Sequence, residues 1–160
     1  MFIIAETAEI KLNVRNTDAK VREHVLDAIK RICISEAHAS NAPKDPDFEP
    51  INNYPLTVND PTATATIAKA FKEHFGDDAF ECPPVGASED FGRFGIAFES
   101  PYVYWFVGGT DQAKYDEAVK NNTVAALPGP HSPFWAPALH PTLRTGIETM
   151  LVAAGAWLAK

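Results

Sequence analysis

The chain is poor in the residues that cross-link, chelate or anchor. It has two cysteines in 160 residues, Cys33 and Cys82, far apart and without metal-type spacing. A disulfide framework is excluded on that count, and a reducing, cytoplasmic location is expected. Basic charge is also scarce: 14 Lys and Arg stand against 21 Asp and Glu, a formal net charge of −7. That balance argues against nucleic acid as a partner. Long apolar runs are missing too. Met1-Phe2-Ile3-Ile4 has no basic lead and meets Glu6 at once, so it is too short for a signal peptide or a membrane span, and no membrane partner is expected. There is no internal repeat and no low-complexity tract. There is also no G-x-S-x-G nucleophile elbow, because Asp90 stands where the second glycine of Gly86-Ala87-Ser88-Glu89-Asp90 would be. A serine hydrolase therefore has little support.

What is present is the material of a globular protein, with 46% hydrophobic and 22% charged residues, enough for one domain or two small pieces. Residues 8–15 alternate, with Ala8, Ile10, Leu12 and Val14 on one face and Glu9, Lys11, Asn13 and Arg15 on the other, which predicts a half-buried strand. Thr17 or Asp18 then caps a helix whose apolar positions Val21, Val25, Ile29, Ile32 and Cys33 follow the helical period. Phe48-Glu49-Pro50-Ile51 reads as a short edge strand. Residues 1 to about 53 thus read as a β-α-β unit. After a linker at Asn52-Asn53-Tyr54-Pro55 the pattern changes. Asp60-Pro61 starts a helix with Ile67, Ala70, Phe71 and His74 inward, and Gly76 ends it. Ser88-Glu89-Asp90-Phe91 predicts a short helical turn. The run Tyr102-Val103-Tyr104-Trp105-Phe106-Val107 predicts a strand covered on both faces. Pro141 opens a last helix with Leu143, Ile147, Leu151, Ala154 and Leu158 on its core side.

Three places carry candidate chemistry. Asn13 and Arg15 share the polar face of the first strand near its end, where a guanidinium fork could hold a carboxylate; an ordinary solvated face is the alternative. Gly86, Ala87 and Ser88 form a glycine-led turn whose backbone N–H groups suit an anion or a polarised carbonyl, or Ser88 simply caps a helix. His131, in Pro128-Gly129-Pro130-His131-Ser132-Pro133-Phe134, is the one histidine in a stiff, non-helical setting. Its role is a metal ligand or a structural hydrogen bond. No cluster of Cys, His or Asp elsewhere completes a metal site around it.

Taken in order, Glu9 to Arg15, Asn59-Asp60-Pro61, Gly86 to Phe91, His131-Ser132-Pro133-Phe134 and Pro141 to Gly146 resemble the C-terminal portion of peptidase M20 amidohydrolases. The nearest branch contains aminoacylases, hippurate hydrolases and N-acyl-amino-acid hydrolases. The resemblance runs from about residue 8 to the end. It implies an α/β fold in two parts: residues 1–55 as the second half of a lid that forms a dimer, and 56–160 as the C-terminal part of a catalytic domain. It implies metal-dependent hydrolysis of the amide bond of an N-acyl amino acid or small peptide. Arg15 would hold the substrate carboxylate, Gly86, Ala87 and Ser88 would line the pocket, and His131 would be one ligand of a divalent metal, zinc or manganese.

The family's other ligands and its general-base glutamate have no counterpart here, and the chain begins Met1-Phe2-Ile3-Ile4-Ala5 as though translation starts mid-domain. One histidine is short of the roughly three protein ligands of a catalytic zinc site. The chain alone is accordingly expected to be inactive and to hold no stable metal. The alternatives are a subunit completed by a second chain and a non-catalytic binding or oligomerisation module. The double-sided apolar run 102–107 further predicts self-association into a homo-oligomer.

Overall fold

A computed structural model of the chain describes residues 5–87 and 89–158. Among the described residues five α-helices form: α1 (Ala19–Ala39), α2 (Pro61–Phe75), α3 (Gly92–Ala97), α4 (Gln112–Lys120) and α5 (Leu139–Leu158). Single 3-10 turns occupy Gly76–Asp78 and Val124–Ala126. No β-ladder forms among the described residues, so the expected α/β architecture is corrected to an all-helical one. The physical reason is that a strand exists only through a neighbour that takes its backbone N–H and C=O groups. Segments 8–15, 48–51 and 102–107 carry strand-like side-chain patterns but pair in no ladder. Among the described residues neither the β-α-β unit nor the sheet of the second part is built.

The helices start where local chemistry dictates. Asp18 Oδ1 accepts the Val21 N–H at 3.0 Å, Asp60 Oδ1 that of Ala63 at 2.7 Å, and Asp111 Oδ1 that of Lys114 at 3.1 Å. Each bond satisfies one otherwise orphaned donor of a first turn, worth about 1 kcal/mol. Pro61 follows its cap at the first helical position, and Gly76 at φ 60° closes α2. In α5 His140 has non-helical angles (φ −117°, ψ 129°), so the regular helix runs from Pro141, as its sequence predicts.

The chain divides into two compact units, one made of Met1–Thr57 and Pro83–Ile96, the other of Val58–Cys82 and Ala97–Lys160. In the first unit α1 half-buries Val25, Leu26, Ile29 and Cys33 but fully buries nothing, and Val21 and Ile32 stay exposed. Ile10 and Leu12, the intended inner face of the first strand, are exposed. In the second unit α2 packs against α5 around Ala63, Ile67, Thr149 and Ala153. Phe71 sets its ring edge-on to Trp105 at 5.4 Å and to Phe75 at 5.8 Å. His74, expected inward, is exposed and lies 4.0 Å from Glu148.

The apolar run 102–107 is held by an asparagine instead of a strand. Asn59 Oδ1 accepts the Tyr104 N–H and Asn59 Nδ2 donates to the Tyr104 C=O, both at 2.8 Å. The Asp60 N–H adds a bond to the Tyr102 C=O at 2.9 Å. One side-chain amide thus does what a neighbouring strand's peptide would do. The run is not covered on both faces, since Phe106 is 57% exposed.

Helix α5 also reverses its expected orientation. The side of small residues, with Gly146, Thr149, Val152, Ala153 and Ala156, is the sheltered one. Leu143, Ile147, Met150, Leu151, Ala154 and Leu158 face solvent. The accessible surface of the chain is 13818 Å². Even two wholly separate globular pieces of these masses would expose only about 9,500 Å². No large side chain is fully buried among the described residues.

Candidate functional site

Arg15 and Gly86, separated by 71 positions, meet in the first unit. Arg15 Nη1 donates to the Gly86 C=O at 2.6 Å. Two segments singled out independently in the sequence therefore come together. The bond uses one of the five N–H donors of the guanidinium and fixes the direction in which the fork points. The side chain is exposed, so its charge remains available to an anion from solvent. Ala87 follows in the same exposed loop. Asn13 is exposed and makes no hydrogen bond among the described residues. Ser88 lies outside the described residues. The expected helical turn at 88–91 begins later, at Gly92, so the N–H groups of Gly86 and Ala87 belong to a loop and not to a helix start.

A second arginine, not apparent from the sequence, holds the same loop from its other end. Arg93 Nη2 donates to the Asn53 C=O, and its guanidinium lies 5.6 Å from the centre of the Tyr54 ring. The segment 83–96 is thus tied to the first unit at Gly86 and again at Arg93. The local signal was the Tyr54-Pro55 pair in the linker, an aromatic face beside a rigid residue, which names no partner by itself. Asn16, next to Arg15, has its Nδ2 shielded from solvent and without a partner among the described residues. A buried orphan donor costs about 1–3 kcal/mol, and no sequence pattern marks it.

His131 belongs to the second unit. The Ser132 N–H donates to the Gly129 C=O at 2.8 Å, which makes Pro130 and His131 the central pair of a turn with proline at its favoured position. A second turn follows, with the Trp135 N–H on the Ser132 C=O at 3.1 Å and the Phe134 N–H on Ser132 Oγ at 3.2 Å. Behind it the Ala138 N–H donates to the Gly109 C=O at 2.9 Å. A Cβ on Gly109 would lie 3.1 Å from the Trp135 ring, so glycine is what lets the loop settle that closely. The stiffness read from the prolines is thus built from consecutive turns. The imidazole itself is exposed and has no hydrogen-bond or ion-pair partner among the described residues.

His38 Nε2 is 2.7 Å from Asp45 in the first unit, and His74 faces Glu148 in the second. Among the described residues no group of three or more His, Cys, Asp or Glu side chains could hold a metal. The donor set does not fit a catalytic metal, and no chemical step of this chain is routed through one. What the arrangement can do is present a fixed cation, Arg15, beside the loop at Gly86 and Ala87. That suits recognition of a carboxylate.

No family model matches the chain. It is similar to Thermostable carboxypeptidase 2 and Thermostable carboxypeptidase 1 of Saccharolobus solfataricus. Each is 31% identical over 112 residues, which is 70% of this chain and 27% of the relative. The match spans about a quarter of the length of these curated relatives.

Proposed function

We propose that this chain is the C-terminal, substrate-holding portion of an M20-type metal-dependent amidohydrolase. Its reaction class is hydrolysis of the amide bond of an N-acyl amino acid or of a small peptide at its carboxyl end. The observation that carries this reading is the Arg15–Gly86 contact. It joins the arginine that the resemblance assigns to the substrate carboxylate with the loop that the resemblance assigns to the substrate pocket. Partial similarity to two carboxypeptidases, whose names denote cleavage next to a free carboxylate, supports the same chemistry.

In this reading Arg15 binds and orients the carboxylate through its remaining N–H donors. Gly86, Ala87 and Ser88 contact the substrate in this reading, and Asn13 lines the approach. His131 supplies a single ligand to a zinc or manganese centre whose other ligands and general base come from sequence that this chain does not contain. Two portions follow, 1–55 from the lid and 56–160 from the catalytic domain. The chain alone then binds substrate weakly and does not turn it over.

Calorimetric titration with an N-acetyl amino acid and with its carboxamide tests this. The free acid binds in the millimolar range and the carboxamide at least tenfold more weakly, because a point charge facing a guanidinium fork is lost. Equal affinity for the two, or release of free amino acid by the chain alone in the presence of zinc or manganese, would contradict it.

A further inference from the structure

Arg93 holds the loop of the proposed site but has no assigned part in binding there. Its guanidinium makes two contacts at once. Nη2 donates to the Asn53 C=O, and the charge lies 5.6 Å from the centre of the Tyr54 ring. The receiving side is set in advance, because Pro55 confines Tyr54 to extended backbone and so limits where its ring can stand.

Seven positions separate Arg93 from Gly86, and the part nearer Arg93 is wound by local bonds. The Asp90 N–H donates to Glu89 Oε1 at 2.9 Å, the Arg93 N–H to the Asp90 C=O at 2.9 Å and the Phe94 N–H to the Phe91 C=O at 3.1 Å. Gly92 and Gly95, on either side of Arg93 in α3, are buried. Upstream of Gly86 stand Pro83 and Pro84, whose φ is fixed. Gly86 itself has open space where a Cβ would sit, so packing on that side does not locate it. Its place follows from the stiff segments that flank it. The Arg15–Gly86 bond at 2.6 Å needs the carbonyl delivered to the guanidinium, and on the downstream side Arg93 is the anchor.

We infer that Arg93 is a positioning residue for the carboxylate site: its grip on Asn53 and Tyr54 places the Gly86 carbonyl that meets Arg15. The ligand, an N-acyl amino acid, rests on the proposed function, but the placement can be read without any ligand. Charge alone does not make the grip. A lysine at 93 keeps the attraction to the ring as a point charge, without the planar fork that serves ring and carbonyl together.

Amide nitrogen shifts of the full chain test the inference, because the nitrogen that follows a carbonyl responds when that carbonyl loses a hydrogen bond. Arg15→Ala calibrates the response at Ala87. Arg93→Ala should move the Ala87 nitrogen in the same direction, Arg93→Lys by less, with helical circular dichroism unchanged in both. Calorimetric titration with an N-acetyl amino acid should show affinity lowered about threefold in Arg93→Ala, the scale of an exposed cation–π contact, and partly recovered in Arg93→Lys. Tyr54→Leu, which leaves both arginines in place, should reproduce part of each effect. An Ala87 nitrogen at its wild-type position in Arg93→Ala, or an affinity there equal to wild type, would overturn the inference. So would a loss of helicity in both Arg93→Ala and Tyr54→Leu, which would make the contact a prop of the whole unit. A wild-type chain that binds no N-acetyl amino acid, with the Ala87 shift still following Arg93, would contradict the carboxylate reading and support the placement of Gly86 by Arg93.

Discussion

At the scale of single residues, the second unit depends on a few polar side chains that replace missing elements. Asn59 satisfies both the donor and the acceptor of Tyr104. The part-buried backbone there has no ladder to fall back on. Asn59→Leu keeps approximate size but strands both groups, and should cost about 2 kcal/mol, read as a lowered urea midpoint at unchanged slope. A change below about 0.5 kcal/mol would show that water serves the peptide as well as asparagine does. Arg15 follows the same logic in the first unit, where the Gly86 carbonyl accepts from one of its five N–H donors.

At the scale of elements, α5 is the clearest case of a rule that needs its surroundings. A helical period reveals that an apolar side exists, but not whether anything meets it. Here α2 meets the side of small residues, where close approach is possible, and the larger side is left outward. Ala153→Leu should therefore destabilise by about 1–3 kcal/mol through overpacking against α2. Ile147→Gln, on the side that sequence alone assigns to the core, should change the stability of the dilute monomer by less than about 0.5 kcal/mol. Urea denaturation of both variants checks the pair, and the reverse order would restore the inward reading of Ile147.

The same contrast explains what was legible beforehand. Asp18, Asp60 with Pro61, Gly76 and Pro141 marked helix limits correctly, because a cap involves only a few atoms of one turn. Helix α4 escaped notice because it is short and polar and buries only Ala118, with Asp111 as its visible mark. The strands at 8–15 and 102–107 failed because pairing is a property of two segments, and one segment's alternation cannot supply the other. Arg15 and the Gly86 loop were each legible as candidates, but 71 intervening residues hid their contact.

At the scale of the whole molecule, the accessible surface is large for the mass. The chain exposes 13818 Å², against about 9,500 Å² for two separate globular pieces of the same masses. Its match covers about a quarter of the carboxypeptidases it resembles. Exposed apolar side chains on α5 and at Ile10 and Leu12 make up part of that surface.

The central claim is the proposed carboxylate grip at Arg15 and the Gly86 loop. Amide chemical-shift mapping with an N-acetyl amino acid tests it most directly. The account predicts saturable shifts at Gly86 and Ala87 and their loss in Arg15→Ala. Shifts that persist in Arg15→Ala, or that centre on His131 and leave Gly86 and Ala87 unmoved, would contradict it.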